Sequence, residues 1–308
     1  MTPGHRDTLP PQLLGLLVAL TLAWGFNWPM IKLALEGMAP MHFRTLCLLS
    51  GAACLFAMAA AGGVEWRVPR GEWGRLGLIS LFNLTAWNIF SVYGVGMMAS
   101  GRASILGYTM PMWSVLLSTS VLGERFTRRR ALGVTFGMGG IGLLLASEFQ
   151  ALERAPLGAL LMIAAAMSWA IATVLIRKWA SRMPTTSYTA WQMVIGVVPI
   201  LALALVVEEG SFNPLTLAPG PLAAVLYNMT VAFGFCYWAW MKIAQSAPAG
   251  VSSLASLMVP VVGVFSGALV LGETPRWTDY AALALVVGSL ATVLVPLRGA
   301  AGPAKASP

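Results

Sequence analysis

Ten apolar stretches of about twenty residues each follow one another along this chain with short polar gaps between them, and no other feature restricts its folding so severely. A helix of that length crosses about 30 Å of hydrocarbon. Hydrocarbon offers the backbone no hydrogen-bond partner, so such a stretch must satisfy its own amides as a helix. The stretches run 12–35, 41–61, 74–97, 102–122, 128–147, 157–179, 186–207, 220–243, 250–271 and 277–297. Composition agrees: 58% of the 308 residues are hydrophobic and 10% are charged, against roughly a quarter charged in soluble domains. The first stretch is too long for a signal peptide and lacks a small-x-small cleavage site, so it counts as the first helix. The expected fold class is all-α, a polytopic membrane protein of ten transmembrane helices.

Lys and Arg accumulate in short cytoplasmic segments, and this rule sets the expected orientation. With the N-terminus inside, fourteen of the nineteen basic residues fall on the cytoplasmic side, among them Arg67, Arg70, Arg128, Arg129, Arg130, Arg177 and Lys178. The opposite face receives Lys32, Arg44, Arg102, Arg154 and Arg276, with seven of the eleven acids. Both termini, including a short tail at 298–308, are expected in the cytoplasm. The net charge of +8 is spread over separate loops with no long basic face, which argues against nucleic-acid binding.

The chain repeats itself. LFNLT at 81–85 returns as LYNMT at 226–230, an offset of 145 residues that also relates Trp24 to Trp169, Ile31 to Ile176 and Lys32 to Arg177. Later the offset is 149: Ser104 matches Ser253, Pro111 matches Pro260, Leu122-Gly123-Glu124 matches Leu271-Gly272-Glu273, and Gly139 matches Gly288. Two five-helix halves follow, at 12–147 and 157–297. Five is odd, so the second half enters the membrane from the other side, and the copies are related by an axis in the membrane plane. Such halves can exchange conformations so that a cavity between them faces alternate sides; duplication kept only for folding is the competing explanation.

Trp24-Gly25-x-Asn27 in the first helix, Pro111 with its Leu-Gly-Glu, and Pro260 with its own Leu-Gly-Glu complete a pattern that resembles the drug/metabolite transporter superfamily. Within it the chain is most similar to the EamA-type ten-helix branch and the YddG-like bacterial aromatic and neutral amino-acid exporters. The resemblance covers about residues 12–297. It implies two EamA-type repeats around a central cavity and export of amino acids across the cell inner membrane. The expected partners are small-molecule amino-acid substrates and the lipid bilayer, with no nucleic acid and no cofactor, and a monomer is the expected unit. Another small metabolite or an organic cation drug is the alternative cargo. An integral membrane enzyme acting on lipid is the alternative of another class.

Polar groups within spans are costly in lipid and are expected to face a cavity or a packed interior. The substrate-binding candidates are Trp24, Asn27, Asn83, Trp87, Tyr108, Trp113, Trp169, Asn228, Tyr237, Ser253 and Ser256. Together they offer uncharged hydrogen-bonding groups and flat aromatic faces, which suit an aromatic or mostly apolar zwitterion. A nucleotide-sugar cargo would call for several midplane cations. Asn83 and Asn228 are equally open to hydrogen bonding across packed helices. Pro111 and Pro260 are repeat-equivalent and are candidate hinges, since a buried proline frees a carbonyl and kinks its helix. Glu124 and Glu273 are expected to stabilise the starts of the helices that follow them.

Three further patterns carry no chemistry here. Both Asn-x-Thr triplets fall inside spans, out of reach of glycosylation. GMGGIG at 137–142 spells a dinucleotide fingerprint, but no strand precedes it, so its glycines are expected in helix contacts. Cys47, Cys54 and Cys236 are odd in number and lie in spans, which argues against a disulfide framework. No catalytic or metal-ligating set is spaced for use. No acid lies deep within a stretch, so the expected driving force is the gradient of the substrate itself.

Overall fold

The computed structural model describes residues 11–150, 155–246 and 249–294, without the side chains of 147–150, 155–156, 241, 244–246, 249–257 and 293–294. It contains ten helical spans: α1 (Pro11–Ala34), α2 (Pro40–Ala61), α3 (Trp73–Met97), α4 (Ser100–Leu122), α5 (Arg128–Gln150), α6 (Ala155–Lys178), α7 (Thr185–Val206), α8 (219–246), α9 (Ala249–Leu271) and α10 (Trp277–Leu294). The described residues hold no strand. Seven of the spans are long and apolar enough, by length and composition, to cross a membrane.

Helix pairing displays the two inverted halves. The α2 helix packs against α7, and α5 against α10, so each pairs with its own repeat equivalent. The α1–α9 and α3–α6 contacts have counterparts in α6–α4 and α8–α1. Exchanging the halves therefore maps these principal pairings onto one another, as a two-fold relation requires. The glycine-rich stretch 137–142 serves the α5–α10 seam, where a Cβ on Gly140 would stand 3.0 Å from Val286. Ser289 of α10 donates to the Gly133 carbonyl at 2.6 Å.

The repeated Asn motif now has a structural meaning. Leu81–Ala86 in α3 and Asn228–Phe235 in α8 are both wound as π-helix. A π-turn widens the helix and leaves backbone groups out of register, and short polar side chains repair the loss. Asn88 donates to the Leu84 carbonyl at 2.8 Å and Asn228 to the Ala224 carbonyl at 3.0 Å. Thr85 donates across to the Gly196 carbonyl of α7 at 2.8 Å, and Thr230 to Leu226 within α8 at 2.7 Å. Each widened stretch is received by a glycine. A Cβ on Gly196 would lie 2.6 Å from Leu84, and one on Gly51 of α2 would lie 3.1 Å from Phe233. These two glycines also stand 145 residues apart, the offset of the repeat.

The Leu-Gly-Glu pair is a helix stop. Gly123 and Gly272 adopt φ of 67° and 64°, a left-handed geometry that costs other residues a clash at Cβ. In each copy the glutamate amide then reaches back to a helix carbonyl, Ser118 or Gly267, at 3.4 Å. The two prolines differ in setting. Pro111 stands in the first turn of Met110–Leu122, just after a break in α4 at Tyr108 and Thr109, whereas Pro260 lies inside a continuous α9.

Candidate functional site

A cavity of about 120 Å³ lies between the halves, several times the roughly 10–15 Å³ that one water needs. The α1 helix contributes Trp24, Asn27, Trp28 and Ile31, whose spacing of three and four residues places them on one helical face. Trp87, Asn88 and Ser91 of α3 follow the first π-stretch directly, and Ala232 and Phe233 belong to the second. Tyr108 and Met110 flank the break in α4, Trp169 comes from α6 and Tyr237 from α8. Irregular backbone at membrane depth is tolerated where it is buried in protein or lines a cavity. The three irregular stretches within the described spans, in α3, α4 and α8, border this one.

Six of the candidates read from sequence therefore meet here: Trp24, Asn27, Trp87, Tyr108, Trp169 and Tyr237. Aromatic contacts made by the repeat-equivalent Trp24 and Trp169 each cross to the other half. Trp24 meets Tyr237 edge to face with ring centres 6.2 Å apart, and Trp169 meets Trp87 in the same manner at 5.0 Å. Trp28 sets its edge against Tyr108 at 6.5 Å. The other candidates stand elsewhere. Asn83 donates to Gln192 Oε1 of α7 at 2.7 Å, and Asn228 is buried in its own π-stretch. Trp113 donates its indole N–H to Thr109 Oγ1 at 3.3 Å. The side chains of Ser253 and Ser256 lie outside the described residues.

Arg44 is the residue that sequence reasoning missed. Counted there among charges of the outer face, it is in fact 3% exposed, and it lines the cavity from the first turns of α2. Its guanidinium carbon sits 5.0 Å from the Phe43 ring centre, and its Nε has no hydrogen-bond partner. Among the described residues no carboxylate lies within ion-pair distance, and its ionisable neighbours are the Cys47 thiol and the Tyr237 hydroxyl. The available signal was an arginine four residues inside an apolar stretch, a position that in a membrane helix marks a binding group as readily as a loop charge. Asn27 Oδ1 is likewise buried without a partner at the same cavity. The described lining residues include no acid.

Two of the other cations assigned to the outer face, Arg102 and Lys32, are paired. Arg102 Nε pairs with Asp279 at 2.7 Å, and Lys32 donates to the Met98 carbonyl at 2.8 Å and to Glu273 at 3.4 Å. Glu273 does not act on the helix that follows it, as expected from sequence. It accepts from the amides of Ser100 and Gly101 at 2.7 and 3.1 Å, which caps α4 of the other half. The start of α10 is instead held by Asp279, which accepts from the Arg276 amide at 2.7 Å.

Comparison with known proteins agrees with this architecture. The model of the EamA-like transporter family matches residues 12–146 and 156–295. A "Probable amino-acid metabolite efflux pump" of Escherichia coli (strain K12) is 27% identical, covering 92% of this chain and 95% of that protein. A protein of the same name from Salmonella typhimurium is also 27% identical, over 89% and 92% of the two chains. An uncharacterised Pseudomonas aeruginosa protein is 30% identical over 93% and 96%. A crystal structure with 21% identity superposes at a TM-score of 0.65, covering 92% of this chain and 96% of the other, and so shares the fold. Ten helices in two inverted halves, a cavity bordered by both, and a family match to each half lead to one assignment: the chain belongs to the EamA-like transporter family, a family of membrane transporters.

Proposed function

We propose that this protein exports aromatic and other mostly neutral amino acids across the cell inner membrane by alternating access. The observation that carries the proposal is the cavity itself, walled by aromatic rings from both halves and holding a single described cation and no described acid. Flat faces and sparse polar groups favour a largely apolar solute with one anionic end. The names of the E. coli and Salmonella relatives point the same way. An organic cation as cargo is disfavoured, because it would meet Arg44 with no acid beside it.

The driving force in this reading is the outward gradient of the substrate. Counterflow in proteoliposomes, screened over the twenty amino acids, sugars and organic cations, tests it. The expected result is saturable exchange of phenylalanine, tyrosine, tryptophan or large neutral amino acids. Exchange of organic cations alone, or uphill transport that collapses with an imposed pH gradient, overturns the cargo or the energetics respectively.

A further inference from the structure

We propose that Arg44 anchors the carboxylate of the cargo and that the side-chain oxygen of Asn27 accepts its ammonium group, so that the cavity selects a free zwitterion. This rests on the reading of the protein as an amino-acid exporter and names the groups that carry its selectivity.

The argument begins with cost. An ionised guanidinium removed from water and left without a counter-charge is among the most unfavourable states a side chain can hold. Arg44 is in that state among the described residues: 3% exposed, its Nε unpartnered, with no carboxylate in reach. The other buried cation that borders a cavity, Arg102, has its aspartate. A buried cation kept unpaired beside a cavity, in a protein able to pair its other one, is completed by an anion that arrives from outside. The planar fork of arginine matches a carboxylate through two parallel hydrogen bonds.

The opposite end follows the same logic. Among the described residues Asn27 Oδ1 is a buried acceptor without a donor, on the cavity face of α1. Cations are attracted to the faces of tryptophan and tyrosine rings, and Trp24, Trp28 and Tyr237 stand around this site. An ammonium group placed at Asn27 therefore gains a hydrogen bond and neighbouring ring faces, with no fixed negative charge to hold it once the carboxylate leaves.

The test compares four probes of one shape: L-phenylalanine, L-phenylalaninamide, 3-phenylpropionate and phenethylamine. They compete against labelled phenylalanine counterflow in proteoliposomes of the full chain. In the wild type, phenylalanine is expected to outcompete its amide about ten- to a hundredfold, because a site built for a polar group rejects the analogue lacking it. In R44Q that ratio falls toward one, in R44K it is intermediate, and in N27L the advantage of phenylalanine over 3-phenylpropionate is lost while the carboxylate preference stays. Each ratio is taken within one variant, so differences in membrane abundance cancel.

An unchanged ratio in R44Q overturns the anchor and leaves amino-acid export standing. The same four probes are also followed by tryptophan fluorescence quenching of the detergent-purified protein. Quenching by 3-phenylpropionate that depends on Arg44, in a wild type that exchanges no amino acid, supports the anchor and overturns the amino-acid reading. Equal quenching by carboxylate and amide in the wild type overturns the anchor directly.

Discussion

Two glutamates at equivalent places in the repeat, Glu273 and Glu124, do unequal work. Each meets a cation from the opposite half, Lys32 and Arg177, and these two are themselves repeat equivalents. Around Glu273 the carboxylate is 14% exposed and grips backbone: it takes the Ser100 and Gly101 amides, the Ser100 hydroxyl at 3.0 Å and Lys32. Gly267 gives it room, since a Cβ there would stand 2.5 Å from the carboxylate. Amides at a helix start carry a partial positive charge, so this contact joins the halves through a rigid element. Around Glu124 the partners among the described residues are all side chains: the Ser118 hydroxyl at 3.3 Å, Arg130 at 2.7 Å and Arg177, the last 52% exposed. Exposed pairs of that kind are weak and screened by salt.

The lesson is that a duplicated residue keeps its position while its partners decide its strength. In the proposed transport cycle the face bearing Glu273, the expected outer face, is stapled through backbone, and the face bearing Glu124 is tied, among the described residues, through side chains alone.

Breaking the staple is expected to have the largest effect. The substitution E273Q weakens acceptance from two amides and removes the charge opposite Lys32, at a cost of about 2 kcal/mol in the conformation seen here. Thermal unfolding in detergent and labelling of a cysteine placed at Thr274 by an impermeant maleimide read this out. Unchanged melting together with unchanged labelling would refute the staple.

A smaller effect separates the halves at their π-stretches. With Leu84 so near Gly196, G196A overpacks the α3–α7 seam by roughly 2 kcal/mol, while the looser site makes G51A cost about 1 kcal/mol. Equal melting shifts for the two variants would remove the distinction. The smallest effect belongs to Glu124. Partial burial alone would raise its carboxyl pKa, but hydrogen bonds and charge from Arg130 and Arg177 prevail and hold it below the ordinary value of 4.5. Its stabilisation is therefore complete above that value and lost as pH falls through the lowered one. At neutral pH and moderate salt, E124Q is expected to cost less than about 1 kcal/mol. Its melting temperature is expected to fall less steeply than that of the wild type between pH 5 and pH 3 (on the order of the ordinary carboxylate range).

Much of this could be seen from residue order. The ten spans and the inverted halves are legible because hydropathy and repeat spacing are properties of contiguous chain. So were six of the fourteen described residues of the cavity wall, since Trp24, Asn27, Trp87, Tyr108, Trp169 and Tyr237 are large or polar groups in otherwise aliphatic helices. The repeated Asn motif was visible as a motif and opaque as a structure. Its π-winding depends on Gly196 and Gly51 in other helices making room for a wider turn.

Residue order by itself determined that the chain lies in a bilayer as two copies of one helical unit, because lipid permits few ways to satisfy an apolar backbone. Only the tertiary structure decided which cations are loop charges and which are interior ones. Arg44, Arg102 and Lys32 look alike in sequence, yet one lines a cavity with no counter-ion among the described residues and two are paired across the halves. The physical reason is that the cost of a charge depends on what surrounds it, and those neighbours come from helices far away along the chain.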